Sequence, residues 1–150
     1  MRTMWRRGRR LFSLASILML LTALAHTAGN LAPVEPTAAE KAVTDAMRGF
    51  HLVMGMGMNP SMLDIFEDLT FTMSITFAAL AVINLALAAS ADIADRLLRR
   101  IAWINLVWVA VFTWLCWRYR IPPPLISGVL IALPLAGLLL GRPGPEKASP

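Results

Sequence analysis

Four long stretches without a charged residue most constrain what this chain can fold into. They cover residues 11–28, 69–89, 101–117 and 125–141, and none contains Asp, Glu, Lys or Arg. A helix that crosses roughly 30 Å of hydrocarbon needs about 20 residues and tolerates about 17. Each stretch meets that length, and none shows the polar stripe of a soluble helix. Because lipid offers the backbone no hydrogen-bond partner, these stretches must be helical.

The composition excludes other classes of protein. Charged residues make up 15% of the 150 residues, against about 25% in an average soluble domain. The hydrophobic share of 57% excludes disorder, and the single cysteine, Cys116, excludes an internal disulfide. The cations form no basic stripe interleaved with aromatic residues, so no nucleic-acid partner is expected. The sequence predicts an all-α integral membrane protein that folds as a four-helix antiparallel bundle. The lipid bilayer is the partner that its apolar helices contact.

The distribution of cations predicts the orientation. With the N-terminus inside, ten Lys and Arg residues lie on the cytoplasmic side and four lie outside, which favours two cytoplasmic termini. We therefore expect a multi-pass protein of the bacterial cytoplasmic (inner) membrane. The predicted segments are a basic cytoplasmic tail (1–10), span 1 (11–30), an extracytoplasmic loop (31–66), span 2 (67–90), a cytoplasmic link (91–100), span 3 (101–117), an outer hairpin turn (118–124), span 4 (125–141) and a cytoplasmic tail (142–150).

The first stretch also has features of a cleaved signal peptide. Five arginines precede the apolar region, and residues 23–25 (Ala-Leu-Ala) form a small-x-small cleavage site. Residues 9–12 (Arg-Arg-Leu-Phe) also match a twin-arginine export signal. The apolar run continues to Leu31, however, and cleavage would leave only three spans. We favour a retained first span and keep cleavage as the alternative.

The extracytoplasmic loop contains a predicted amphipathic helix over residues 37–54. Thr37 and Glu40 have the spacing of a capping box, and apolar residues recur every three or four positions from Ala39 to Met54. We expect this helix to lie on the membrane surface or across the mouth of the bundle. The next helix is expected to begin at residues 59–60 (Asn-Pro), an N-cap followed by a proline at the first helical position.

Polar residues inside the spans are the first candidates for functional sites. Asn84 and Asn105 lie at similar depth on neighbouring spans, so we expect them to hydrogen-bond to each other or to a shared backbone carbonyl. His26, Thr27 and Asn30 cluster at the outer end of span 1. For all five residues our main interpretation is a structural role in hydrogen bonding.

The two histidines, His26 and His51, also allow two functional interpretations. The first is a metal or haem site that uses both imidazoles. The second is a proton-handling histidine beside one of the carboxylates at the start of span 2, namely Asp64, Glu67 and Asp68.

Methionine alternates with glycine over residues 54–58 (Met-Gly-Met-Gly-Met). Thioether sulfur is a soft ligand that needs no deprotonation. Met54, Met56 and Met58, together with His51, are therefore a candidate copper site. Methionine is also a flexible filler of irregular apolar gaps, and an apolar lid over the outer mouth is our main interpretation.

Several short motifs accompany the first two spans. Residues 26–29 read His-Thr-Ala-Gly where span 1 ends, residues 45–48 read Asp-Ala-Met-Arg, and Met-Gly follows at 54–55. Residues 64–66 (Asp-Ile-Phe) stand where a polar–aromatic stretch leads into span 2. With these motifs the chain resembles a family of small, uncharacterised four-span bacterial membrane proteins whose His-Thr-x-Gly signature closes the first span. Residues 67–71 depart from the glycine-rich entry of that family. The resemblance implies a retained first span and no known activity.

The motifs that typically carry catalysis are missing from the sequence. It contains no Ser/His/Asp order, phosphate-binding loop, Cys-x-x-Cys pair or Glu-x-x-His di-metal pair. We therefore expect a protein that is not an enzyme and needs no cofactor. Our main hypothesis is a structural or accessory subunit that binds a membrane-protein partner or a second copy of itself. A small-molecule or ion carrier and an extracytoplasmic copper or haem binder are the alternatives.

Overall fold

The structure is a computed structural model that describes residues 2–90 and 93–141. The predicted tail at 142–150 and part of the predicted link at 91–100 lie outside the described residues. All regular structure in the described part is helical, which confirms the all-α fold class. The helices are α1 (Arg2–Leu31), α2 (Ala38–Gly49), α3 (Met62–Ala89), α4 (Asp95–Arg118) and α5 (Pro122–Leu140), with a 3₁₀ turn at Gly55–Gly57.

Four of these helices, α1, α3, α4 and α5, are long and apolar enough to cross a membrane. By length and composition the chain is therefore a multi-pass membrane protein. Helix α3 has 28 residues. At about 1.5 Å per residue it is longer than a hydrocarbon layer of roughly 30 Å. Its first turns, which carry Asp64, Glu67 and Asp68, precede the apolar part of the helix.

All four membrane-length helices begin earlier than the apolar stretches do, as α1 and α4 illustrate. Helix α1 starts at Arg2, so the residues predicted as a basic tail (1–10) belong almost entirely to a helix. Arginine is a good helix former, and Gly8 is the only glycine among them. Helix α4 starts at Asp95, where a carboxylate suits the positive end of the helix dipole. Hydropathy marks the part of a helix that suits lipid, whereas backbone hydrogen bonding continues beyond it.

The contacts divide the chain into two compact units. Unit 1 combines the chain before Ala23 with the chain after Thr76, and unit 2 is Ala23–Thr76. The largest fully buried hydrophobic side chains, all in unit 1, are Phe12, Met19, Phe77, Val109, Ile131 and Leu135. Small buried residues accompany them, namely Ala15, Ser16, Ala81 and Ala102. Small residues let helix backbones approach closely, which favours packing where lipid removes the hydrophobic driving force.

An aromatic cluster links α3 to α4 in unit 1. The Phe77 ring lies edge-on to Trp108, with centroids 4.7 Å apart, and edge-on to Phe112 at 5.1 Å. Trp108 and Phe112 are themselves stacked at 6.0 Å. Such pairs contribute about 0.5–1.5 kcal/mol each beyond the area that they bury. The mid-span tryptophan therefore packs against other rings of the chain.

Two arginines in unit 1 bond to the carboxyl-terminal ends of two other helices. The Arg9 guanidinium, on α1, donates to three carbonyl oxygens at and after the end of α3, those of Ala88, Ser90 and Ile93. The Arg99 guanidinium, on α4, donates to two at the end of α5, those of Leu139 (2.6 Å) and Gly141 (2.8 Å). The last carbonyls of a helix lack intrahelical partners, and a cation there also interacts favourably with the helix dipole.

A three-residue connection, shorter than the predicted turn at 118–124, joins α4 to α5. Arg120 adopts the left-handed conformation (φ 56°). The amide of Ile121 donates to the carbonyl of Cys116 (2.9 Å), and that of Arg120 to Trp117 (3.2 Å). This is a Schellman motif, which satisfies free carbonyls at the end of α4. Pro122 can start α5 at once, because the first helical position needs no amide hydrogen.

Helices α4 and α5 approach each other closely at Gly128. A Cβ atom placed on Gly128 would collide with the hydroxyl oxygen of Thr113 and lie 3.2 Å from its Cβ. The Thr113 hydroxyl is already held by a bond to the carbonyl of Val109 (2.7 Å). Glycine is therefore required by this contact rather than by the backbone conformation.

We expect Gly128→Ala to reduce the free energy of unfolding by about 1–3 kcal/mol, the usual effect of overpacking a tight contact. The measurement is SDS-induced unfolding in detergent micelles, followed by tryptophan fluorescence. Gly29→Ala is the matched control, because a Cβ there meets no atom within 4 Å. Thr113→Ala should restore part of the loss in the Gly128→Ala background. A Gly128→Ala protein as stable as the wild type would contradict this account of the contact.

Candidate functional site

Residues 29–68, here called the connecting segment, hold most of the candidate residues and lie in unit 2. Helix α2 starts with the predicted capping box, which is confirmed. The amide of Glu40 donates to the Thr37 hydroxyl (3.2 Å), and the amide of Thr37 donates to the Glu40 carboxylate (2.7 Å). The bond from the Thr37 backbone, followed by the one from its hydroxyl, holds the pKa of Glu40 below its ordinary value.

Helix α2 is amphipathic, yet none of its residues is buried. Val43 on its apolar face is 60% exposed, and Phe50, directly after the helix, is 57% exposed. The polar side carries both signs of charge, including an ion pair between Asp45 and Arg48 at 3.2 Å. Met47 on the same face is half-buried, so the apolar face of α2 is covered only in part within the described residues.

Helix α2 ends at Gly49, five residues before the predicted end at residue 54. Beyond it the chain doubles back in an antiparallel hairpin over residues 50–62. The hairpin bonds are Met62 N to Phe50 O (2.8 Å), Leu52 N to Pro60 O (3.0 Å) and Met54 N to Met58 O (3.0 Å). Apolar residues continue at helical spacing through residue 54, so periodicity alone could not locate the end of the helix.

Helix α3 begins after Ser61, so the predicted start at residues 59–60 is wrong. The amide of Asp64 donates to the Ser61 hydroxyl (3.1 Å), and the amide of Ser61 donates to the Asp64 carboxylate (2.8 Å). These bonds form a second capping box, and the Ser-x-x-Asp spacing in the sequence is the signal that identifies it. Pro60 instead belongs to the hairpin, where its carbonyl accepts from Leu52.

The hairpin brings two of the candidate methionines together. Met54 and Met58 occupy opposite positions on its two arms. Between them Met56 (φ 63°) and Gly57 (φ 78°) both take left-handed conformations, which reverse the chain. Met56 is 94% exposed, Met54 41% and Met58 48%. None of the three side chains is buried.

His51 lies on the other face of the hairpin. It pairs with Ser61, and side chains alternate between the two faces of an extended arm, so His51 and Met54 point in opposite directions. Its Nδ1 lies 3.0 Å from the carbonyl oxygen of Asn59, which can only accept, so Nδ1 donates. The four candidate copper ligands therefore do not share one face of the hairpin, because His51 lies on the face opposite Met54 and Met58.

His26 belongs to a different polar cluster, within unit 2. Its Nδ1 lies 2.9 Å from the hydroxyl of Ser74 on α3 and 3.2 Å from the amide nitrogen of Asn30, one turn later on α1. Ser74 is 5% exposed, and His26 and Thr27 are half-buried. Sequence reasoning missed Ser74, because a single serine inside an apolar stretch gives no signal of its partner.

The partners of His26 determine its tautomer. An amide nitrogen can only donate, so Nδ1 must accept from Asn30, and the Ser74 hydroxyl donates to the same atom. The proton of the neutral ring is then on Nε2. In a catalytic triad one ring nitrogen faces the nucleophile and a third residue bonds to the other ring nitrogen. The described partners of His26, Ser74 and Asn30, both bond to Nδ1, so this is not the geometry of a triad.

Within the described residues, Asn84 and Asn105 do not bond to each other, and their amide nitrogens do not donate to a shared backbone carbonyl. Asn84 is 3% exposed and Nδ2 makes only a weak contact with the sulfur of Met19 (3.9 Å). Asn105 is 4% exposed, and its Nδ2 has no hydrogen-bond partner in the described part of the chain. The sequence gives the depth of each amide but not its rotation about the helix axis. A buried amide without a partner destabilises by about 1–3 kcal/mol.

The described residues contain no group of three or more His, Cys, Asp or Glu side chains that could hold a metal ion. Neither histidine forms an ion pair with Asp64, Glu67 or Asp68 within the described ranges. Cys116 is buried and forms no disulfide within the described residues. The site is therefore a set of separate local features, two capping boxes, a methionine hairpin and a histidine–serine cluster.

Comparisons with known proteins identify no relative: no family model, no curated protein and no solved structure matches this chain.

The capping box makes the start of α2 sensitive to acid. The pKa of Glu40 is lower in the folded protein than in the unfolded chain. The contribution of its carboxylate to stability is therefore complete above the unfolded pKa of about 4.3 and is lost as the pH falls through the folded pKa. As the pH falls through the folded pKa of Glu40, we expect the ¹³Cα chemical shifts of Ala38 and Ala39 to move toward the values of the unfolded chain. Glu40→Gln is the matched control, since glutamine also completes a capping box but does not titrate. Equal acid dependence in both proteins would contradict this role.

Proposed function

We propose that this chain is a structural or accessory subunit of the bacterial inner membrane, not an enzyme, and that it docks on a membrane-protein partner through the connecting segment. The observation that carries the proposal is the amphipathic helix α2, of which no residue is buried. Apolar area left in water is unfavourable by about 25 cal/mol per Å². A contiguous apolar face outside the spans is typical of an interaction site.

The hairpin exposes further apolar side chains. Val53 is 92% exposed and Met56 is 94% exposed, close in sequence to Val43 and Phe50. Large exposed side chains in the spans are explained by contact with lipid, whereas these four lie outside the spans. They provide exposed apolar area of the kind that marks an interaction site.

The charge of the connecting segment favours a protein over the lipid surface as the occupant. Helices that bind membranes carry Lys and Arg on their polar face, which anionic headgroups attract. The connecting segment carries six acidic residues and only two cations, Lys41 and Arg48. We therefore infer a partner with an apolar groove bordered by basic residues.

We further propose an antiparallel four-span bundle with both termini cytoplasmic and α2 extracytoplasmic. The ten-to-four distribution of cations supports this orientation. Arg9 and Arg99 support the antiparallel order, because each lies near the start of one span and bonds to the end of another. The resemblance to four-span proteins with a His-Thr-x-Gly signature supports a retained first span.

The docking proposal can be tested by photo-crosslinking in native membranes. We expect benzoylphenylalanine at Val43 or Phe50 to give a discrete adduct heavier than the monomer, because both apolar side chains are more than half exposed. Lys41 is the matched control, since two residues along a helix correspond to the opposite face. The measurement is the mass and identity of the adduct after irradiation.

Three outcomes would contradict this docking proposal. The first is the absence of a protein adduct at Val43 and Phe50. The second is an equal yield at Lys41. The third is an adduct that contains two differently tagged copies of this chain and no other protein, which would replace the partner with a homo-oligomer.

The orientation has its own measurement, in a Cys116→Ser background. We expect a membrane-impermeant maleimide, applied to cells with a permeabilised outer membrane, to label Ala39→Cys. Ala94→Cys should be labelled only after the inner membrane is opened. Both positions are exposed in the structure, so the protein itself does not block either one. Labelling of Ala94→Cys in closed cells would contradict the orientation.

A further inference from the structure

The hairpin turn combines three thioethers in a conformation that packing does not explain. Met54 and Met58 face each other across the arms, joined by the bond from Met54 N to Met58 O at 3.0 Å. Directly opposed residues of an antiparallel pair have Cβ atoms about 4.5–5.5 Å apart, on the same face. Two flexible thioether side chains at that separation can reach one ion between them.

Met56 stands at the tip of the turn, between the other two. Its left-handed conformation (φ 63°, ψ 24°) is sterically unfavourable for a residue with a side chain, and glycine or asparagine is usual there. The next residue, Gly57, takes the same left-handed conformation with φ 78°, so the turn has a glycine at one of these two positions and a methionine at the other. A methionine at the strained position therefore indicates a use for its side chain.

Packing is the ordinary reason for a cluster of methionines. It requires burial, and these side chains are 41%, 94% and 48% exposed. Thioether sulfur is a soft, uncharged ligand that selects soft ions such as Cu(I) over hard ions such as Mg²⁺ or Ca²⁺. Because it carries no proton at any relevant pH, binding would need no deprotonation, unlike binding by cysteine or histidine.

We propose that the turn at residues 54–58 is a Cu(I)-binding site whose ligands are the sulfur atoms of Met54, Met56 and Met58. His51 is not a ligand. It lies on the opposite face of the hairpin from Met54 and Met58. The site consists of one short turn and shares only Met56 with the exposed apolar residues of the proposed docking surface.

The test is Cu(I) affinity of the full-length protein in detergent micelles under anaerobic conditions, in competition with a chromophoric Cu(I) chelator. We expect the wild type to withdraw Cu(I) from the chelator. The double variant Met54→Leu/Met58→Leu should bind about 10–100-fold more weakly or worse, since even outer-shell changes at metal sites have effects of that size. Leucine keeps the shape of methionine and removes the sulfur.

Two control variants separate this site from general methionine chemistry. Met47→Leu/Met62→Leu removes two thioethers from α2 and α3 in the same unit and should keep the wild-type affinity. His51→Ala should also keep it, which distinguishes three thioether ligands from a set that includes the imidazole. Loss of affinity in either control would overturn the proposed ligand set.

A second measurement uses the wild-type protein alone. In the wild type labelled with methyl-¹³C methionine, Ag(I), a soft analogue of Cu(I), should shift the methyl signals of Met54, Met56 and Met58 and leave those of Met47 and Met62 in place. Equal shifts at all five methionines, or no shift at the turn, would overturn the proposal. So would a folded Met54→Leu/Met58→Leu protein with wild-type Cu(I) affinity.

Discussion

The rest of this structure depends on the requirement that every backbone polar group in lipid is satisfied by the protein itself. Inside the spans a helix meets that requirement without help. The ends of helices do not, because the first four amides and the last four carbonyls of a helix have no intrahelical partner. This chain completes its ends in three ways: arginine side chains at the ends of α3 and α5, a Schellman motif after α4, and reciprocal side-chain caps before α2 and α3.

The arginine caps give two cations a second role. Arg9 and Arg99 belong to the charge distribution that predicts the orientation, and the same side chains bond to carbonyls of distant helices. Both roles have one physical origin. A guanidinium cannot enter hydrocarbon and is attracted to the negative end of a helix dipole, so it is stable where a span ends. A substitution at either position would therefore affect helix packing as well as charge.

The connecting segment follows different rules from the spans. Both of its capping boxes can be recognised from the sequence. Helix α3 begins at the box formed by Ser61 and Asp64 and not at the Asn-Pro pair just before it. The hairpin between them has weaker signals, because its methionines continue the apolar spacing of α2. What the segment leaves exposed, an apolar helix face and a turn of thioethers, is the basis of both proposals.

The polar residues show most clearly where prediction from the sequence stops. Composition and spacing identified Asn84, Asn105 and His26 as notable, and all three are at least half-buried. Their partners could not be predicted. Asn84 contacts Met19, His26 bonds to Ser74, and the Nδ2 of Asn105 has no partner within the described residues. Spacing along a helix gives depth, but the rotation of each helix about its axis depends on packing.

The sequence by itself determined that the chain is all-α, that four helices suit a membrane, and that a capping box starts α2, because these follow from hydropathy and from groups within one turn of each other. Only the tertiary structure decided which arginine meets which helix end, which face of each span is buried, and where α2 gives way to a hairpin. Those features depend on contacts between residues far apart in the chain. In a sequence whose spans are apolar all round, no pattern of residues marks one face as the one that packs.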